Sequence, residues 1–212
     1  MSPQQEKFRL IRIFVSSPGD VAKERETLDE VIGAINDVQG RQYGVRLEVW
    51  RWEDRVVPQI GPAPQTLVDA QLPNYDIYLG IMASRFGTPT EQYGSGTEQE
   101  FRDALTRWGD KGEPWILFYF HDNPPLPKKS QDVEQYLKVT QFREELETKG
   151  IVKGYSGVRG DKTGFYEQVS KHLQQLVIRF TEQRSTRQPQ QPKPAKPNIP
   201  PGYCTWLQKV GS

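Results

Sequence analysis

Glu100 is the side chain with the clearest chemical potential. It follows a glycine-rich turn, Tyr93-Gly94-Ser95-Gly96, in the run Thr97-Glu98-Gln99-Glu100. Phe101, Ala104, Leu105 and Trp108 then fall at i, i+3, i+4 and i+7, the spacing of one buried helical face. Glu100 has two readings. Thr97 reads as an N-cap, with Glu100 at capping-box distance, a structural role. The other reading sets a carboxylate in the first helical turn, beside free backbone N–H groups, facing whatever binds above it. Such a carboxylate can attack or stabilise an anomeric carbon that gains oxocarbenium character as its glycosidic bond breaks. Ser16, Ser17 and Gly19 offer hydroxyls and backbone N–H groups suited to phosphate, and Arg85 can clamp phosphate or ribose. Trp52, Tyr93 or Phe86 can stack on a base. Each of these also has a structural counterpart. The serines are good helix caps, Arg85 can simply meet solvent, and Trp50 and Trp52 share the strand face that usually enters a core.

Other motifs fall away. Gly94-Ser95-Gly96 begins a dinucleotide fingerprint, but Gln99 stands where the third glycine belongs. There is no Walker A sequence and no G-x-S-x-G elbow. His121 ends an apolar strand and His172 lies on an apolar helical face, so neither is expected to be catalytic. Glu24 and Arg25 read as a structural pair or a solvated face. Lys128 and Lys129 are too few to argue nucleic-acid binding.

Positioning Glu100 requires a sheet. Tyr75–Met82 and Trp115–Phe120 are strand-like runs on either side of the Glu100 helix, which makes a βαβ unit. The loop entering such a helix lies at the carboxyl edge of a parallel sheet, where open α/β folds bind ligands. Phe8–Val15 is the first strand. Ser17 before Pro18 predicts the start of a helix, since proline favours the first helical position. That helix carries Leu28, Val31, Ile32, Ile35 and Val38 and ends at Gly40. Residues 44–52 alternate as a half-buried or edge strand does. A short helix is expected over residues 66–72. Residues 83–89 form a long βα loop, a functional or mobile type of segment. Val133, Leu137, Val139, Phe142 and Leu146 mark a further helix, residues 151–155 a short strand, and Phe165 to Phe180 a last amphipathic helix. The expected architecture is an α/β three-layer sandwich of about five mostly parallel strands, helices on both faces, in flavodoxin-like order. The strands near Ile13, Ile77 and Leu117 should be adjacent, parallel and central, being the most continuously apolar.

The chain of 212 residues, 35% hydrophobic and 26% charged with a net charge of +1, suits one core-forming domain plus an extension. The charge balance does not call for a nucleic-acid partner. No apolar run is long enough for a bilayer. One cysteine, Cys204, fits a reducing cytoplasm. Two histidines and that cysteine argue against a zinc cluster. The expected divisions are a domain over 1–183, a proline- and glutamine-rich linker over 184–201, and residues 202–212. Tyr203, Trp206 and Leu207 in that last stretch read either as the opening of a following domain or as a tail that docks back.

Residues 96–100 with Asp103-Ala104 and the Trp115–Phe120 strand resemble the nucleoside deoxyribosyltransferase motif, whose nucleophilic glutamate aligns with Glu100. Residues 13–21, Glu24-Arg25, residues 76–81, Ser84-Arg85-Phe86-Gly87 and residues 95–101 together resemble an uncharacterised TIR-like family. Its members stand at the N-terminus of NACHT- or NLR-type defence and signalling proteins. The resemblance implies a TIR-like sheet, cleavage of the N-glycosidic bond of NAD or a related nucleotide, and self-association through the parent protein. NAD is then substrate rather than cofactor. Glu100 is the catalytic residue it implies, with substrate binding by Ser16, Ser17, Asp20, Trp52, Ser84, Arg85, Phe86 and Thr97. Residues 202–212 would approach a NACHT-type ATPase. The other function consistent with these features is a non-catalytic TIR-like interaction and oligomerisation module.

Overall fold

A computed structural model describes residues 8–51, 74–150 and 152–187, with side chains to 182. The elements are β1 (Arg9–Ser16), α1 (Ala22–Ile35), β2 (Val45–Trp50), β3 (Ile77–Met82), α2 (Gly96–Lys111), β4 (Trp115–His121), α3 (Ser130–Lys149), β5 (Lys153–Tyr155) and α4 (Phe165–Arg187). The first compact unit runs to Ile178 and a second starts at Arg179. The expected helix at 66–72, the side chain of Trp52 and the tail from residue 188 lie outside the described residues.

All four strand pairings are parallel, in the order β2-β1-β3-β4-β5. This is the flavodoxin-like order, with its topological switch between β1 and β3. The three most continuously apolar strands are the central ones, as expected. Every residue of β3 is buried, because helices cover both of its faces. Phe14, Tyr78, Met82, Phe118 and Phe120 meet Phe101 and Ala104 of α2 and Val139, Phe142 and Leu146 of α3 in one aromatic core. Ring centroids there lie 4.7 to 6.5 Å apart, within the range of favourable aromatic pairs. On the opposite face Tyr119 and Tyr155 pack against Phe165 of α4, and the Tyr119 hydroxyl lies 2.8 Å from His172 Nδ1. Burial, followed by Lys153 and Lys171, holds the His172 imidazole below its usual value.

Four local expectations differ from the structure. The first helix starts at Ala22, after Val21, and not at Pro18. It also does not stop at Gly40. A π-helical turn over Asn36–Gly40 leads into a last turn over Arg41–Tyr43, and Gly44 ends it at φ 62°. Gly40 is needed because a Cβ there would lie 2.8 Å from the Val45 carbonyl oxygen. Trp108 is 53% exposed, so the buried face of α2 fades after Ala104. Val133 and Leu137 are exposed as well, and α3 buries only its second half.

The π-helical turn protects the edge of the sheet. Asn36 Oδ1 accepts from Leu47 N–H at 2.8 Å, and its Nδ2 donates to the Leu47 carbonyl at 2.9 Å. One side chain thus satisfies both outward backbone groups of Leu47, in the middle of the edge strand, which would otherwise be open to another strand. Asn36→Ala is expected to cost about 1–3 kcal/mol by leaving both groups unpaired. Urea unfolding measures the loss, and an increase in concentration-dependent aggregation should accompany it.

Candidate functional site

The carboxyl ends of β1 and β3 carry the polar side chains. Ser16 is the last residue of β1 and pairs in register with Gly80. It shares the face of Phe14, so its hydroxyl points to α2 rather than to α1. There Ser16 Oγ donates to Glu100 Oε2 at 2.5 Å, with the two residues 1% and 8% exposed. A hydroxyl donated to a carboxylate is a charge-assisted bond, and it offsets part of the cost of burying the acid. Tyr78, on β3 beneath them, donates to the Thr97 carbonyl at 3.3 Å. Burial, then the Glu100 charge, pushes the Tyr78 hydroxyl far up, so it remains a donor.

The capping expectation is corrected. Ser95, not Thr97, is the N-cap of α2, and its Oγ accepts from Glu98 N–H at 3.1 Å. Glu98 Oε2 reaches back to Gly94 N–H at 3.0 Å. Ser95 and Glu98 thus cap the helix at capping-box spacing, with Glu98 accepting from the residue before the cap rather than from the cap itself. Glu100 is left out of this arrangement, lies two residues further in on the other side of the helix, and turns inward to Ser16. Thr97 is 7% exposed and contributes its backbone carbonyl.

A brace holds this turn. Arg102 bonds Glu98 at 3.0 Å and forks onto both oxygens of Glu145 of α3 at 2.5 and 2.7 Å. The Arg102 hydrogen bonds pull the Glu145 carboxyl down to about 2, from 4.5. A depressed acid stabilises the fold fully above its unfolded value. That contribution is expected to fade as pH falls from about 4.5 towards 2, reduced by solvent screening because Glu145 is partly exposed. Glu145→Gln should flatten this part of the acid limb in stability measured against pH.

The loop after β3 is pinned to both neighbouring elements. Asp20 Oδ2 accepts from Ser84 N–H at 2.9 Å, Ser84 Oγ at 3.0 Å and Arg85 N–H at 2.9 Å. Gln135 Oε1 of α3 accepts from Phe86 and Gly87 N–H at 2.9 and 3.0 Å. Asp20, Ser84 and Arg85 thus come together, and Ser16 joins Glu100. Ser17 is half-buried beside Ser16, and Arg85 is exposed. Phe86 takes another role: it is 5% exposed and packs edge-on against Phe142, so its ring is part of the core.

Glu24 was expected in a structural pair or on a solvated face. It is instead 6% exposed, and its Oε1 accepts from the Tyr155 hydroxyl at 3.0 Å. Tyr155 ends β5 and contacts the ring of His121 at the end of β4. Burial, then the Glu24 charge, drives the Tyr155 hydroxyl strongly up. A buried carboxylate thus sits under each face of the sheet, Glu100 on one side and Glu24 on the other. Sequence pattern alone does not reveal Glu24–Tyr155, because its partners lie 131 positions apart.

Among the described residues no group of three or more His, Cys, Asp or Glu is placed to hold a metal, and no helix is long and apolar enough to cross a membrane. No curated protein matches the chain. Residues 12–174, which contain β1 from its fourth residue into the first half of α4 and every polar contact described above, match the family described as a domain of unknown function, DUF4062. The match covers most of the chain, which therefore belongs to the DUF4062 family.

Proposed function

We propose that this domain cleaves the N-glycosidic bond of NAD or a related nucleotide, as the N-terminal effector of an NLR- or NACHT-like cytoplasmic defence protein activated by assembly. The observation that carries the reading is the Ser16–Glu100 pair. A buried acid with no capping duty is held by a 2.5 Å hydrogen bond at the switch point of a parallel sheet. Glu100 acts on the anomeric carbon of the ribose. As the C–N bond breaks, its electron pair goes to the pyridinium nitrogen and nicotinamide leaves neutral. Glu100 stabilises the resulting sugar cation, or bonds to it, until water adds at the same carbon and loses a proton. Nicotinamide is already a good leaving group, so one carboxylate suffices. Ser16 orients that carboxylate, a narrower role than holding phosphate. The full chain, oligomerised and incubated with NAD, should release nicotinamide and ADP-ribose. Intact NAD after incubation with assembled protein would remove the catalytic reading.

A second reading is supported by exposed apolar side chains. Val133 and Leu137, one turn apart on α3, are 50% and 55% exposed, and Leu126 in the loop before it is 83% exposed. These fit an interaction module that buries them on assembly.

A further inference from the structure

Four consecutive backbone N–H groups, those of Ser84, Arg85, Phe86 and Gly87, are directed at side-chain oxygens rather than at carbonyls. Successive main-chain N–H groups in a turn form a concavity that binds anions. The Ser84 hydroxyl adds a further donor to the first two. The Arg85 guanidinium is on the exposed residue of the same pair, and its planar fork of donors matches phosphate bidentately. Gly87 closes the run, and its φ of 112°, where side chains rarely go, turns the chain away after it.

An anion already occupies the first half of this array, and it belongs to the protein. Asp20 Oδ2 collects three donors, yet Asp20 Oδ1 is buried with no hydrogen-bond partner among the described residues. An unmet buried acceptor weakens the hold of the group that carries it. Asp20 also shares its surroundings with Glu24, four residues on, since the negative charge of both reaches the Tyr155 hydroxyl. Release of Asp20 into water relieves both conditions. The second half of the array is filled by the neutral Gln135, which has no such charge to shed.

We propose that Ser84 and Arg85 form a phosphate site that Asp20 occupies at rest as an internal anion, and that a diphosphate-bearing ligand binds by displacing it. Asp20 ties the loop after β1 to the loop after β3, across the strand end where Ser16 holds Glu100. Displacement unties the loop after β1 from Ser84 and Arg85, while Gln135 still holds Phe86 and Gly87, so arrival of the anion is coupled to the strand end that carries Ser16 and, through it, Glu100. The coupling to Glu100 rests on the proposed N-glycosidase reading, while the anion site stands on the N–H array alone.

The test is titration of the isotope-labelled full chain with inorganic pyrophosphate, followed at the Ser84 and Arg85 amides by NMR. An occupied site weakens apparent affinity by the fraction of time it is free, so a plug in place about nine-tenths of the time costs roughly tenfold. Asp20→Ala and Asp20→Asn should both bind pyrophosphate more tightly than wild type, by roughly tenfold for the alanine variant. Adding Arg85→Ala to either should weaken binding again. If Asp20→Ala loses its dispersed spectrum, Asp20→Asn, which keeps an acceptor for the loop, decides the matter. Equal affinity in wild type and variants, or shifts that bypass Ser84 and Arg85, overturns the proposal. ADP run in parallel identifies the source: tighter binding than pyrophosphate indicates a nucleotide, and equal binding indicates a free diphosphate. Since no turnover is needed, a chain that binds pyrophosphate here and leaves NAD intact keeps this site and loses the catalytic reading.

Discussion

Glu100→Gln should lower turnover by about a hundredfold or more, the usual cost of one positioned group that stabilises developing charge. The fold should change little. Glutamine keeps the length of the side chain and an oxygen to accept from Ser16, which donates to Glu100 Oε2 in the native site. Helix capping is untouched, because Ser95 and Glu98 supply it. Removing a buried charge also removes its desolvation cost, which offsets the weaker hydrogen bond. What the proposed reaction loses is the negative charge that would stabilise the sugar cation. Glu98→Gln is the internal control. Glu98 stands two residues away, about 200° around the helix, and pairs with Arg102 at 3.0 Å. Its substitution should weaken the capping turn slightly and leave turnover intact. Both variants are compared in an assembled preparation in which wild type is active. If Glu98→Gln abolishes turnover and Glu100→Gln does not, the catalytic assignment is misplaced by two residues. If both are silent, it falls altogether.

The second large effect concerns the floor of the site. Gly80→Ala is expected to cost about 1–3 kcal/mol through overpacking, and Gly80→Val more. Gly80 lies between Ser16 and Phe118 in the sheet register. A Cβ at Gly80 would meet the Phe118 ring at 2.4, 2.5 and 2.9 Å. That ring cannot retreat easily. It stacks on Phe120 at 4.7 Å and meets Phe101 and Phe142 edge-on, each at 5.7 Å. A methyl group therefore displaces either the aromatic core or β3 itself. The midpoint of thermal unfolding should fall by about 2–4 °C per kcal/mol for a chain of this size. An unchanged midpoint would show that Phe118 has room the packing does not provide. Because Ser16 is the neighbour of Gly80 in the register, Gly80→Ala should also impair any activity that depends on Glu100, beyond the loss of folded protein.

Much of the architecture is legible in the sequence, because it rests on short-range signals. Apolar runs at Ile13, Ile77 and Leu117, alternating with helical periodicity, specify a parallel sheet with those strands in its centre. The local misreadings have local causes. Ser17-Pro18 has the composition of a helix start, but the chain turns through Asp20 before α1 begins. Gly40 reads as a stop, but its missing side chain serves the approach of Val45. Val133 and Leu137 keep helical spacing although no described neighbour buries them.

The site divides in the same way. The sequence by itself determined that Glu100 lies on a helix entered from the carboxyl edge of a sheet, but its spacing offers Thr97 as the cap where the structure has Ser95 with Glu98. Sequence spacing could not choose between the two roles of Glu100, since both put a carboxylate in the same stretch of helix. Only the tertiary structure decided its partner, by bringing Ser16 to it across 84 positions of chain. It likewise carried Asp20 to Ser84 and Glu24 to Tyr155, and moved Phe86 from a presumed stacking platform into the core. A periodic pattern records which face of an element is apolar. Which polar group meets which is set by strand order and register, through contacts whose members are neighbours only once the sheet has formed.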